Sequence, residues 1–286
     1  MGEFLWKAED QIERLADLIG ERENGKDLPL RRDVRSLGIL LGWVIREQAG
    51  EHAFDTEEEL RHLTIHHREA AEKKEGTDAA VPQESEVPEG AIRLIREMGI
   101  GEAYLIIKAF ANFFELTNLA EANHRHRRRR AARLASTSDK PGSLRGTLRR
   151  LHQQGIAAEE ALELLRRVQV MPVFTAHPTE VARRVVLFKR RRIAGELAEF
   201  DRLPLTEAEG CRRQDAILAE ITALWQTDEV RRRRPTVEDE VRMGLDHYPG
   251  SLIAPLPVLY RDMAEAFAEV YGVNLAPGEL PAVVRF

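Results

Sequence analysis

One short apolar run, residues 168–174, constrains this chain more than any other feature. It is the only convincing strand among segments that otherwise repeat with a helical period. The run leads to His177-Pro178, and an Arg-rich amphipathic segment starts directly afterwards. The pattern predicts a buried strand over 168–177 that carries a histidine to its carboxyl end, followed by a helix over 180–200. In α/β proteins, ligands and catalytic groups collect at that end of a strand. A single strand cannot satisfy its own backbone groups and needs sheet neighbours. Ala282-Val283-Val284-Arg285-Phe286 reads as a second strand that begins and is cut off. The rest of the sheet is therefore expected outside this chain.

Elsewhere the spacing of apolar residues predicts helices over 5–22, 34–48, 91–98, 102–130, 155–167 and 256–271, with another opening at the acidic run Asp55-Thr56-Glu57-Glu58-Glu59. Thr206 with Glu209 forms a capping box for a helix reaching Trp225, and Thr236 with Asp239 marks a further start. Residues 76–90 read as an exposed loop, and 134–146, rich in Ser, Pro and Gly, as a mobile loop. Hydrophobic residues at 43% are enough for a sizeable core. The formal net charge of -5 gives no reason to expect a polyanionic partner for the whole chain. A lone cysteine, Cys211, excludes an internal disulfide framework and suits a reducing compartment. No apolar run approaches the roughly 20 residues that span a bilayer, and the first residues lack a signal-peptide pattern. A cytoplasmic protein with no membrane partner is expected.

His177 is the principal candidate for chemistry. A histidine at such a place is commonly satisfied in a turn or core, but three local features point to more. Pro178 restricts His177 to an extended backbone. The helix that follows aims its first N–H groups at the space beside the imidazole, a favourable setting for an anion. Its positive dipole end favours the neutral ring, which can act as a base. Arg183, Arg184 and Lys189 add positive charge along that helix, which makes Arg183 and Arg184 candidate substrate-binding residues. A neutral base beside an anion pocket suits phosphorylated or carboxylated substrates.

The run His124-Arg125-His126-Arg127-Arg128-Arg129-Arg130 could alone be a nucleic-acid patch. It continues a stretch from Phe110 to Ala120 that is apolar on one face, so an interior ion-pair or anion site is expected instead, with no nucleic-acid partner. Asp228-Glu229-Val230-Arg231-Arg232-Arg233-Arg234-Pro235 reads as a solvated loop. There is no Gly-rich phosphate loop, no Cys/His metal spacing and no serine nucleophile elbow. The adjacent His66-His67 pair does not share a helix face and is no metal site.

Four ordered segments resemble the N-terminal portion of the phosphoenolpyruvate carboxylase family. They are Arg35-Ser36-Leu37-Gly38 through Gly50, then Phe110 through Arg130 with its HRHRRRR run, then Phe174-Thr175-Ala176-His177-Pro178-Thr179-Glu180, and finally Thr227-Asp228-Glu229-Val230-Arg231-Arg232 with Pro235-Thr236 and Asp239-Glu240-Val241-Arg242. The resemblance implies a predominantly α-helical protein wrapped round a (β/α)8 barrel that is incomplete here. Residues 1–167 would be the N-terminal helical region, and 168–286 the start of the barrel, with its first strand at 168–177 and a truncated second strand at 282–286.

The resemblance further implies an enzyme, a carbon–carbon lyase that makes oxaloacetate and phosphate from phosphoenolpyruvate and bicarbonate. It would be Mg²⁺-dependent and homo-oligomeric, a tetramer in the family. By position, His177 would be the base acting on carboxyphosphate. The family's metal-binding acids, phosphoenolpyruvate-binding arginines, catalytic lysine and glycine-rich arginine loop have no counterparts here, so no metal ligand is expected in the chain and the isolated chain is expected to be inactive. The other expectation is a free-standing helical interaction or regulatory module derived from that fold. After Met243-Gly244-Leu245 the family usually shows a histidine, an acid and a tryptophan, where Pro249, Gly250 and Ile253 stand here.

Overall fold

A computed structural model describes residues 4–6, 27–75, 87–134, 142–171, 184–201, 205–228, 236–276 and 278–280. Ten α-helices stand among these: α1 Leu28–Ala49, α2 Glu51–Glu75, α3 Glu89–Glu97, α4 Ile100–Leu134, α5 Leu144–Gln153, α6 Ala158–Arg167, α7 Arg184–Glu199, α8 Glu207–Trp225, α9 Val237–His247 and α10 Leu256–Tyr271. The described residues are predominantly helical, as the periodicity predicts. Val168 to Met171 is extended, with an isolated bridge at Val170, and no longer strand occurs among the described residues. The rest of the expected strand 168–177 and all of 282–286 lie outside them, as do most of the expected helix 5–22 and most of the loops at 76–90 and 134–146.

The chain divides into two compact units. The first comprises residues 1–131 and 185–229, and the second 132–184 and 230–286.

In the first unit α1 is the central helix. Pro29 sits in its first turn, where a missing N–H costs nothing. Leu37, Leu40, Leu41, Val44 and Ile45 recur at three- and four-residue spacing and are all buried. Gly50 ends α1 with φ 92, a left-handed backbone that favours glycine, and α2 starts at the next residue. Against α1 pack Ala109, Leu116 and Ala120 of α4, Ile193 and Leu197 of α7, and Ile217, Ile221 and Trp225 of α8. The N-terminal segment enters this core through Trp6, whose ring stacks on Phe200 at 4.9 Å. A smaller cluster, Leu60, Ala91 and Ile106, joins α2, α3 and α4.

The second unit has its own core. Leu148 of α5, Ala161 and Leu165 of α6, and Met263, Ala266 and Phe267 of α10 are buried together. Glu269 of α10 ties α5 down through Arg145 at 2.9 Å and Arg149 at 2.5 Å. Helix α5 departs from the sequence reading, which placed no helix between 134 and 155. The Ser143 hydroxyl accepts the Gly146 N–H at 3.1 Å, so the small polar residues are partly a helix entrance. Leu144 and Leu148, one turn apart, then pack into the core. A second departure follows α9. Tyr248–Ile253 form a π-helical turn, and Ala254 N–H reaches back five residues to the Pro249 carbonyl at 2.9 Å. Pro249 has no N–H for the ordinary α-helical ladder, and the widened turn falls at that residue. Val237, Val241 and Leu245 of α9, spaced by four, are exposed at 75%, 55% and 59%.

The expected capping box at Thr206 is present, and the expected helix start at Thr236 is a capping box too. Thr206 accepts the Glu209 N–H at 3.4 Å, and Thr236 accepts the Asp239 N–H at 3.2 Å, with each acid bonding back to the cap's own N–H. All three tryptophans, Trp6, Trp43 and Trp225, lie in the first unit, so their fluorescence reports that unit alone. Thr206→Ala is expected to lower the stability read by tryptophan fluorescence in urea by about 1 kcal/mol. Thr236→Ala, in the other unit, should leave that signal unchanged.

Candidate functional site

His177 and Arg183 lie outside the described residues, and so does the segment from Glu229 to Pro235. Arg184 is the first residue of α7. Its side chain is 85% exposed and stands 3.5 Å from Asp246 of α9, a solvated ion pair. Lys189, also expected to add positive charge on this helix, is committed elsewhere. Its ammonium meets Glu220 of α8 at 2.9 Å, and Arg192 meets the same carboxylate at 2.5 Å. Arg190 pairs with Glu115 of α4 at 2.9 Å. Three cations of α7 are thus spent fixing the helix within its unit.

The HRHRRRR run lies in the last part of α4 and splits by helix face. His124 and Arg127, three apart, are buried, whereas Arg125, His126, Arg128, Arg129 and Arg130 are exposed. Arg127 Nη2 donates to Asp33 Oδ2 at 2.7 Å and to Asp201 Oδ2 at 2.8 Å. Trp6 Nε1–H donates to the other oxygen of Asp33 at 3.1 Å, and Asn123 donates to Asp201 at 2.9 Å. Burial opposes the charge on Arg127, but the two carboxylates outweigh it and raise its pKa. The expected interior ion-pair site is therefore present at this residue.

His124 closes the network. Arg127 Nη1 lies 3.5 Å from its Nδ1. A guanidinium only donates, so this contact suits the tautomer with its lone pair on Nδ1 and its proton on Nε2. Burial, reinforced by the Arg127 charge, pulls the His124 pKa below its usual value. Nε2 stands 3.5 Å from Asp27, long for a hydrogen bond.

Among the described residues no group of three or more His, Cys, Asp and Glu could hold a metal ion. The buried acids explain why. Asp33 and Asp201 are saturated by Arg127 and its partners, and Glu220 by two cations. These residues do not fit a Mg²⁺ site. No helix among the described residues is long and apolar enough to cross a membrane.

Sequence reasoning missed Glu57. It reads as one of several acids opening α2, yet it is only 8% exposed and makes no hydrogen bond among the described residues. Burial, with the neighbouring Glu58 charge, pushes its carboxyl to about 7, against the opposing pull of Arg61. It lies on the wall of a cavity of about 810 Å³ between α1 and α2. The helical spacing alone holds the available signal: Glu57 falls one turn before Leu60 and one residue after Thr56, both buried.

Comparison with known proteins agrees with the four motifs. Residues 30–286 match the family described as phosphoenolpyruvate carboxylase. The phosphoenolpyruvate carboxylase of Ralstonia nicotianae is 37% identical over 260 residues, covering 90% of this chain and 25% of that protein. Those of Paraburkholderia xenovorans and Burkholderia mallei are each 36% identical over 251 residues, covering 87% of this chain and 24% of theirs. The chain belongs to the phosphoenolpyruvate carboxylase family. It spans about a quarter of the length of these curated relatives.

Removing Arg127 strands the buried carboxylate of Asp33 and the half-buried one of Asp201. Arg127→Ala is expected to destabilise the first unit by about 3–5 kcal/mol, measured by urea unfolding followed by tryptophan fluorescence. For Glu57 the folded protein binds more protons than the unfolded one between about 4.5 and 7, so ionisation subtracts stability as pH rises through that window. Glu57→Gln should therefore raise the melting temperature at pH 8, and the gap to the parent chain should close as pH falls through 7 towards 4.5.

Proposed function

We propose that this chain is the N-terminal part of a phosphoenolpyruvate carboxylase, a carbon–carbon lyase that forms oxaloacetate and phosphate from phosphoenolpyruvate and bicarbonate. The observation that carries the reading is the family match over residues 30–286, together with relatives four times as long. The exposed Val237, Val241 and Leu245 stripe on α9 supports it, because a helix face of that kind ordinarily packs against further protein.

In this reading residues 168–286 open the (β/α)8 barrel, with strands at 168–177 and 282–286, and 1–167 form the helical region before it. Bicarbonate oxygen attacks the phosphorus of phosphoenolpyruvate, giving carboxyphosphate and the enolate of pyruvate. His177 removes the carboxyl proton of carboxyphosphate, which separates into CO2 and phosphate, and the enolate carbon attacks CO2. A neutral imidazole at the end of a strand, beside a helix N-terminus, suits that proton transfer. Arg183 and Arg184 are candidates for holding the phosphate or carboxylate. Mg²⁺, when bound, offsets negative charge on the phosphoryl and enolate oxygens, and its ligands belong to the part of the enzyme outside this chain. A cytoplasmic homo-oligomer, a tetramer, completes the proposal.

One observation favours a second reading, a free-standing helical interaction or regulatory module: each of the two units already buries a core of its own. An oxaloacetate-coupled assay with phosphoenolpyruvate, bicarbonate and Mg²⁺ separates the two. The 286-residue chain alone should give no turnover. Joined to the remaining three quarters of the Ralstonia nicotianae enzyme, it should give turnover that His177→Asn abolishes. Turnover by the chain alone, lost in His177→Asn, or an inactive joined enzyme that is folded, would overturn the carboxylase-part reading.

A further inference from the structure

The cavity between α1 and α2 is not used by any step of the reaction proposed above, and it is built unlike a packing defect. Its volume, about 810 Å³, lies in the range of sites for small organic ligands. The floor is one stripe of α1, running from Arg31 and Arg35 through Gly38 and Gly42 to Arg46. The two glycines let aromatic rings approach the helix closely. A Cβ on Gly42 would stand 2.9 Å from the Phe54 ring, and one on Gly38 3.5 Å from Phe113. Phe54 and Phe113 thus lie close against a bare stretch of helix, with Trp43 also on the cavity wall.

The charges on the wall are uneven. Glu58 is held by a bidentate pair with Arg61. Arg46 pairs with Glu51 at 3.2 Å and lays its guanidinium over the Phe54 ring at 3.8 Å. Arg31 and Arg35 have no ion-pair partner among the described residues and sit one turn apart on the same face. At that spacing two guanidinium groups can converge on one anion. Glu57 is the remaining acid of the wall, and near neutral pH it is largely protonated or only half ionised.

We propose that this cavity is a binding site for a small aromatic anion, with its planar body between Trp43, Phe54 and Phe113 and its carboxylate, sulfonate or phosphate held by Arg31 and Arg35. The two uncommitted cations select the sign of the ligand's charge. The site stands independently of the carboxylase reading, since it lies in α1, α2 and α4 alone.

The probe is 8-anilinonaphthalene-1-sulfonate, titrated into the 286-residue chain by calorimetry and by fluorescence, with uncharged N-phenyl-1-naphthylamine as its neutral counterpart. One sulfonate should bind per folded chain, and the neutral probe more weakly. Arg31→Gln with Arg35→Gln should weaken the sulfonate by about tenfold and leave the neutral probe unchanged. Gly38→Leu, which fills the cavity and replaces a poor helix former, should abolish both while cooperative unfolding is kept. Failure of the sulfonate to bind, equal loss of both probes in the arginine variant, or unchanged binding in folded Gly38→Leu would each overturn the proposal.

Discussion

The first unit is held in register by one guanidinium. Arg127 reaches from α4 to Asp33 on α1 and to Asp201 just beyond α7, so three elements far apart in sequence meet at a single nitrogen. Two carboxylates against one cation would be costly in a dry interior. Neutral donors are therefore added: the indole of Trp6 on the other oxygen of Asp33, and the amide of Asn123 on the same Asp201 oxygen that Arg127 meets. Asn123 also lies 3.4 Å from the Leu197 carbonyl, which fixes the end of α7 against α4. A buried network of this kind is a weak source of net stability compared with an apolar core of the same volume. What it adds is directional: Leu and Ile can slide past one another, whereas these donors and acceptors match in one arrangement only.

Legibility of the fold in the sequence followed the same division between apolar period and polar geometry. Helices α1, α4, α8 and α10 could be read from apolar spacing, and α8 and α9 were delimited by Thr-x-x-acid caps whose geometry is local. Helix α5 was hidden because Ser143 is at once a loop residue and a cap. The π-helical turn was hidden because proline ends a helix in sequence terms, while Ala254 re-forms the ladder one residue wider. Burial of Glu57 left only a faint trace, its helical spacing to Leu60. An acid in a first helical turn is ordinarily solvated, and only the course of α1 beside α2 places this one in a cavity.

The candidate site was argued from the sequence in a different way. His177 stood out from strand–turn–helix patterning and an anion-friendly helix start, features local to ten residues. Of the three cations singled out there, Lys189 is met by an acid remote in sequence, and its neighbours Arg190 and Arg192 behave alike. Lys189, Arg190 and Arg192 answer to Glu220 and Glu115, acids on other helices with no sequence proximity. The HRHRRRR run shows the converse. Its buried members were legible because the apolar face of α4 leads straight into them, whereas their partners Asp33 and Asp201 were not.

The first unit is discontinuous, because residues 132–184 of the second unit separate α4 from α7. During synthesis at roughly 5–20 residues per second, Arg127 leaves the ribosome several seconds before Asp201 and the core residues of α7 and α8. For that interval Leu40, Val44 and Leu116 have no completed core to enter, and a charged arginine waits beside a single carboxylate. The nascent first unit is thus at its most adhesive between the emergence of α4 and that of α7, and it is the stretch of time, more than the finished energy, that a chaperone binding exposed apolar helices would serve.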